Sequence, residues 1–562
     1  MSEHIIFLFF IIFLTLSTIG YGYIFSNIFN KSLLKFNIGY QGIIGFFFLS
    51  VISIISSFIT SHGQVFNSCL HLIGLFGIGF FIKKKIISTD DIKYFFIIFF
   101  LIIIAIYIYK NHDDFSYYHL TYSLSLSENK FIIGAGNFNH GFRTYSSLFF
   151  FHSILYLPSI QFYLFHLGPF LILLFFNLIL ISKLFDLSKK NEINFLYFLS
   201  LLSFCFVNVV FYRIGEHGTD RSAQVILFLI FITFFEIKFL KSIVKKKILL
   251  NLMLLLIVLA ASLKAIYVIY LILLPLIFLK DKKIFNFSKI KSLKFYSIVF
   301  LSLSLIFIVN FLNTGCLLYP AEKTCTNKVS WHIPHKEVAM MNTHYEWWAK
   351  AGGGPNYKSD LKKDEYIKNF IWVENWIERH FFNKILDTLG GIFAICLIIS
   401  IYFLIKKKHK IKKFKLFDVY LILLIFFAEW FLKHPSMRYG GFVLISLPIF
   451  VYLSSYLASY NYKPFNKILI TKILISIIIL TFNLRNIERL EKEIVFYKYN
   501  LIESPYFYVE KNDSKIIYEN KDFKIFSPTK SSCWATKTPC SNRDDLVSKK
   551  KYGFNIISRI NE

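Results

Sequence analysis

Charge is scarce in this sequence. Only 17% of its 562 residues are Asp, Glu, Lys or Arg, against roughly 25% in a soluble globular chain. Acids are scarcer still, 34 against 63 Lys and Arg. In place of polar sequence stand apolar runs of about 17–23 residues, each long enough to cross a ~30 Å hydrocarbon core. A soluble enzyme, a disordered tail and a secreted module are excluded, and the chain reads as an all-α, multi-span membrane protein. The first run lacks a basic flank and a small-residue cleavage site, so it is expected to be a retained span rather than a signal peptide. The formal charge of +29 is not interleaved with base-stacking aromatics, which argues against nucleic acid as a partner. It sits in tufts between apolar runs, as in Lys83-Lys84-Lys85, Lys245-Lys246-Lys247 and Lys406-Lys407-Lys408.

The apolar runs predict about fourteen spans, near 5–27, 39–60, 66–82, 92–109, 168–185, 194–212, 222–240, 247–262, 264–281, 293–312, 386–405, 416–432, 439–458 and 467–484. Basic loops favour the cytoplasmic side. Strict alternation of fourteen spans puts the tufts at 31–35, 83–85, 189–190, 241–247, 280–283 and 406–415 on that one side. The parity holds only if the apolar stretch 146–165 does not cross, so it is expected to lie at, or re-enter from, the outer surface. Both termini then face outward, and a tail from 486 to 562 is extracytoplasmic. Two outer loops stand out, 110–167 and 314–385.

Cysteine gives an independent reading. Cys69, Cys205 and Cys396 fall in apolar runs and are expected to be buried packing residues. Cys316 with Cys325, and Cys533 with Cys540, form close pairs in the two segments that the charge rule places outside. Short cysteine-closed loops suit an oxidising compartment, and two disulfides are expected.

Polar residues collect at the outer ends of the spans. After 92–109 comes Asn111-His112-Asp113-Asp114-Phe115-Ser116-Tyr117-Tyr118-His119. On a helix Asp114 and Tyr118 share a face, with His119 beside them. Two carboxylates there can act as general base, orient an acceptor hydroxyl or hold a divalent cation, or simply cap a helix. A glycine-rich stretch, Gly134 to Arg143, can bring backbone N–H groups close to an anion or sugar. Arg213-Ile214-Gly215-Glu216-His217-Gly218-Thr219-Asp220-Arg221 packs four formal charges and a histidine into one boundary loop. Either Asp220 beside Arg221 is a surface ion pair, or Glu216, His217 or Asp220 is an acid–base or metal-linked group with Arg221 as a phosphate contact. Lys264 either snorkels to headgroups or enters a cavity. Arg438, before Tyr439 at a helix start, opposes the helix dipole unless it meets an anion. Five of the seven tryptophans lie in 314–385, where they anchor the interface or stack on sugar. His332 and His335 are expected to be an incidental pair.

Asp113-Asp114 with Tyr118-His119, outer juxtamembrane segments over 115–165, and the late Arg438-Tyr439 together resemble the membrane glycosyltransferases of the GT-C fold class across roughly 92–460. The resemblance implies accessory spans at 1–91 and a catalytic region at 92–485. It implies a sugar moved from a polyprenyl-phosphate-linked donor to a glycan, lipid or protein acceptor at the outer face of a bacterial inner membrane. By it Asp114 is the first choice for catalytic base and Asp113 the second, with His119 beside them. Arg438 is a donor-phosphate ligand, and Tyr118, Arg143, Glu216, His217, Asp220, Arg221, Lys264 and Tyr439 are candidate substrate contacts. A divalent cation is the one cofactor that the acidic pair leaves open. A lipid-linked polysaccharide polymerase or ligase is the nearest alternative reading. A transporter or flippase is the more distant one, disfavoured by the missing internal repeat and by polar groups that gather at one face.

Overall fold

The computed structural model describes residues 2–190, 192, 194–216, 218–280, 293–352, 361–404, 407–410, 414–462, 466–521, 523–530 and 532–560. It is mostly helical. The first block comprises α1 (Ser2–Phe29), α2 (Ile38–Ser57), α3 (Gln64–Lys83), α4 (Thr89–Ile102), α5 (Leu120–Glu128) and α6 (Ser147–Ser153). The central block comprises α7 (Leu167–Lys189), α8 (Phe195–Val210), α9 (Gly218–Phe239), α10 (Ile243–Leu263), α11 (Leu273–Lys280) and α12 (Leu293–Thr314). A mixed segment follows with α13 (His335–Lys350), α14 (Lys363–Tyr366) and α15 (Trp372–Trp376). Then come α16 (Leu386–Leu404), α17 (Phe417–Lys433), α18 (Gly441–Leu457) and α19 (Lys467–Tyr497).

Every apolar run predicted to span is helical over most of its length. Among the described residues, eight helices are long and apolar enough to cross a membrane, with Phe195–Val210, Ala265–Leu279 and Gly441–Leu457 as shorter apolar helices. Polar side chains set the starts. Asn37 caps α2, Asn194 caps α8, Ser242 caps α10 and Asn466 caps α19, and Ser88 with Asp91 closes a capping box on α4. Each satisfies backbone N–H groups that the first turn leaves without partners.

Helices α7 and α9 are buried nearly all round, whereas α3, α16 and α19 turn Phe76, Phe393, Ile398, Ile473 and Ile477 outward. Apolar outer faces on polytopic helices are the surface a bilayer covers. Cys69 is exposed on α3, and Cys205 and Cys396 are half-buried. For Cys69 and Cys396 the expected burial fails because α3 and α16 turn apolar faces outward; α8, which carries Cys205, has no exposed residue.

Helices α1, α2 and α3 pack backbone to backbone. A Cβ at Gly20 would sit 1.9 Å from the Gly74 carbonyl oxygen, and one at Gly22 would sit 1.8 Å from that of Gln41. Small residues at such crossings replace the hydrophobic drive that lipid removes.

Residues 146–165 hold only the two turns of α6 and a run of turns behind it, with Leu155, Ile160, Leu164 and Phe165 fully buried. The strands are short. β1 (Lys407–Lys410) pairs antiparallel with β2 (Tyr460–Tyr462). In the tail β3 (Ser514–Glu519) pairs with β4 (Lys524–Pro528), and β5 (Leu546–Lys551) with β6 (Phe554–Arg559), all antiparallel. The tail is bound to the loop after α5, because the Ile557 N–H donates to the Ile133 carbonyl at 2.9 Å and Ser541 donates to the Phe138 carbonyl at 2.8 Å. Both expected disulfides are formed, Cys316–Cys325 and Cys533–Cys540.

Candidate functional site

The loop after α4 is placed by α19. Arg489 donates to the Tyr107 carbonyl at 2.7 Å, and Glu493 accepts from the Tyr109 N–H at 2.8 Å. From there the chain enters a single π-helical turn, Phe115–His119, with Asp114 at its head. Such turns widen the ladder by one residue and recur at functional sites. Asp220 arrives on the first turn of α9. Lys264 is one extended residue (φ −152°, ψ 112°) between α10 and the 3-10 turn that follows, so its side chain leaves the helix axis. Arg438 lies in a 3-10 turn whose C-terminal neighbour, Gly440, has φ +96°, a left-handed position that favours glycine and turns the chain into α18.

These four groups, drawn from loops up to 324 residues apart, meet. Arg438 bridges both acids, its Nε donating to Asp220 Oδ2 at 2.7 Å and its Nη2 to Asp114 Oδ2 at 3.1 Å. Lys264 Nζ donates to Asp220 Oδ1 and lies 4.2 Å from the centre of the Tyr439 ring. The Arg438 guanidinium covers Trp348 of α13 at 5.1 Å. Arg438 therefore meets the anion its helix-start position calls for, and Lys264 enters a cavity rather than snorkelling.

Asp114, Asp220 and Arg438 line two cavities, and Lys264 lines the first of them. The first, about 360 Å³, adds Tyr118, His140, Tyr319, His344, Tyr345 and Tyr439 to the shared wall of Asp114, Asp220, Trp348 and Arg438. The second, about 460 Å³, adds His112, Asp113, His119, Arg221, His380 and Lys384 to that wall. Burial pushes the His119 imidazole down to about 4, with the Asp114 charge opposing the shift, so it is neutral at physiological pH. Burial also raises the Tyr118 hydroxyl well above its usual range, and the nearby Asp114 charge adds to this. Gly141 is required under Tyr118, where a Cβ would fall 2.2 Å from the ring.

The remaining sequence candidates stand outside the quartet. Asp113 is almost fully exposed and pairs with Lys110 at 3.8 Å. Arg221 does not pair with its neighbour Asp220; it stacks on Phe211 and Phe442 at 5.4 and 5.5 Å. Arg143 is buried away from the quartet, donating to the Gly136 carbonyl at 2.8 Å and pairing with Glu337 at 2.8 Å. Glu337 also holds Arg559 of β6 at 2.7 Å, so Arg143 clamps loop, α13 and tail together. The two arginines keep the Glu337 carboxyl below its usual range against the opposing effect of burial. Glu216 is likewise off the cavity, paired with Arg213 at 2.6 Å and lying 3.8 Å from Arg489. His217 lies outside the described residues. Gly134 and Gly136 admit Ile557, Trp331 and Asn313 rather than opening on a ligand. His332 bonds the Val329 carbonyl, and His335 lies 3.9 Å from Glu322. Among the described residues no group of three His, Cys, Asp or Glu side chains is placed to hold a metal ion.

Sequence reading missed His344 and Tyr345, which join Trp348 in facing the first cavity from α13, and Lys384 and His380 in the second. Their signal was faint: 344, 345 and 348 share one face of an otherwise polar helix. A polytopic helical membrane protein with a charge-paired cleft at one end of its helices is what fold and site define together. The chain belongs to the family defined by DUF8201, a domain of unknown function, which matches residues 5–445. No curated protein and no solved structure matches it.

Proposed function

We propose that the chain is a GT-C-like glycosyltransferase of about fourteen spans, lying in a bacterial inner membrane with this cleft on the outer face. Its donor is a polyprenyl-phosphate-linked sugar and its acceptor an envelope glycan, lipid or protein. The observation that carries the reading is the convergence of Asp114, Asp220, Lys264 and Arg438 at a wall where Asp114, Asp220 and Arg438 face two cavities and Lys264 faces the first. Transfer from a lipid phosphate needs a base for the acceptor hydroxyl and cations for the leaving oxygen, within reach of one anomeric carbon.

In this reading the donor phosphate lies in the first cavity, against Lys264 and Arg438, with its sugar beneath Tyr118, Tyr345 and Trp348. The acceptor enters from the second. Asp114 takes the acceptor hydroxyl proton as the oxygen attacks the anomeric carbon. The bond from that carbon to the phosphate oxygen breaks, its electron pair stays on the phosphate, and the new negative charge meets the two cations. Asp114 then releases its proton to water. Asp220 positions Lys264 and Arg438 and takes no part in bond exchange.

The test is turnover by the purified chain in lipid nanodiscs with a panel of polyprenyl-phosphate sugars, read as release of polyprenyl phosphate. The expected result is consumption of at least one donor. No turnover with any donor, together with uptake of labelled lipid-linked sugar in proteoliposomes, would replace the reading with transport.

A further inference from the structure

A third cavity, about 450 Å³, is bordered by the loop 109–113 and falls in the size range of ligand sites. Tyr109 comes from that loop, Tyr497 is the last residue of α19, and Tyr508 and Trp534 come from the tail. The rings form an angled wall. Tyr109 lies 5.8 Å from Tyr497 and 5.6 Å from Tyr508, and Tyr508 meets Trp534 edge-on at 5.8 Å. Tyr497 and Tyr508 are about half exposed, 44% and 46%, so these faces are presented rather than packed away. The tail is fixed there, with the Tyr508 N–H donating to the Tyr109 carbonyl at 2.9 Å and Thr121 donating to that of Trp534 at 3.2 Å.

Polar groups complete the lining. Asn111 is the most informative: both atoms of its carboxamide are buried, and among the described residues neither has a hydrogen-bond partner. A buried amide without partners is costly. Turning it toward the cavity breaks no bond. Lys110 and Asp113 pair at 3.8 Å, which leaves the lining with no net charge. His112 and Asp113 line this cavity and also the second one, so the two spaces adjoin at the loop that carries Asp114.

Aromatic faces, an amide that can both donate and accept, and a lining without net charge are what a sugar ring calls for, with its apolar C–H face and its rim of hydroxyls. We propose that this cavity binds a neutral saccharide acceptor, whose terminal unit passes His112 and Asp113 to reach Asp114, and that the C-terminal tail thereby selects the acceptor. The proposal rests on the glycosyltransferase reading for its chemistry, but saccharide binding is measurable without turnover.

The experiment titrates the full chain in nanodiscs with linear tetrasaccharides of glucose, of mannose and of N-acetylglucosamine, followed by saturation-transfer NMR and tryptophan fluorescence. At least one is expected to bind. Asn111→Leu keeps the side-chain size and removes the unpaired amide, so its melting point should hold or rise while saccharide affinity falls about tenfold. Tyr497→Ala, at a half-exposed helix end, should weaken binding similarly. Binding by none of the three, or binding untouched by both cavity variants, would overturn the proposal. Normal release of polyprenyl phosphate without saccharide binding overturns the subsite and leaves the transferase standing. Saccharide binding with no donor consumed overturns the transferase and leaves the cavity as a glycan site.

Discussion

Asp114 and Asp113 are adjacent carboxylates that sequence alone does not separate, and their surroundings make opposite demands on a substitution. Asp114→Asn keeps an oxygen that can accept from Arg438 at the present 3.1 Å, but it removes the group that takes a proton. Loss of a general base costs about 10²–10⁴-fold in rate, or roughly 3–5 kcal/mol of barrier. The Asp114 side chain is partly exposed, as is Arg438, so the change in folding stability should stay within about 1 kcal/mol. In a chain of this size that shifts the melting point by no more than about 2 °C. Asp113→Asn removes the exposed pair with Lys110 at the rim shared by the second and third cavities but leaves Asp114 and its bond to Arg438 in place, so turnover should fall by no more than about threefold. The assay is single-turnover release of polyprenyl phosphate in nanodiscs, with melting followed in the same samples. Activity of the Asp114→Asn variant within about tenfold of native, or equal losses in both variants, would refute the assignment of the base.

Three further outcomes follow from the same geometry. Lys264→Met leaves Asp220 with a single cation in a largely buried setting and should destabilise the fold by about 3 kcal/mol; adding Asp220→Leu should restore most of that without restoring turnover, and a double variant no more stable than the single one would refute the pairing argument. His119 has a folded pKa of about 4, below its ordinary 6.5. The stability it contributes is therefore complete above pH 6.5 and is lost as pH falls through 4, up to about 3 kcal/mol. Melting curves of native chain and His119→Phe should thus diverge only below pH 6.5. Cys533 and Cys540 close a loop with a sequence separation of 7, so replacing both with Ser should cost the tail about 2.5 kcal/mol through freed chain entropy. Protease should then cut the tail sooner while the membrane body stays intact.

How much of this was legible beforehand differs by level. Hydropathy located the helices because a lipid-facing or buried span admits few polar residues, and each predicted run is a helix in the structure. Asp114, Asp220, Lys264 and Arg438 were each suspect for the same reason, since a charge at a membrane boundary is expensive unless used. Their mutual contacts were not legible, because pairing across 218 or 324 residues depends on how the helices pack. The same gap explains Arg143 and Glu216. Both are buried charges, but their partners Glu337, Arg213 and Arg489 turn them into clamps rather than cleft groups. The aromatic wall of Tyr497, Tyr508 and Trp534 left no local signal, since a ring at the end of α19 and two in a polar tail become a surface only once the tail folds back onto Tyr109 and Ile133. The tail hairpins were hidden similarly, because their strands are short and lysine-rich.

The charge balance of the central quartet has one more consequence. Two carboxylates and two cations cancel, and Arg438 already commits both of its arms to acids of its own chain. The cleft is thus latched by an internal rival for its cations. A free inorganic phosphate offers only charge, and it must displace bonds as good as those it makes. In the transferase reading, a ligand that also brings a lipid tail and a sugar ring adds contacts elsewhere and tips the exchange. Discrimination against the most abundant small anions is in this way built into the resting state, before any bond is broken.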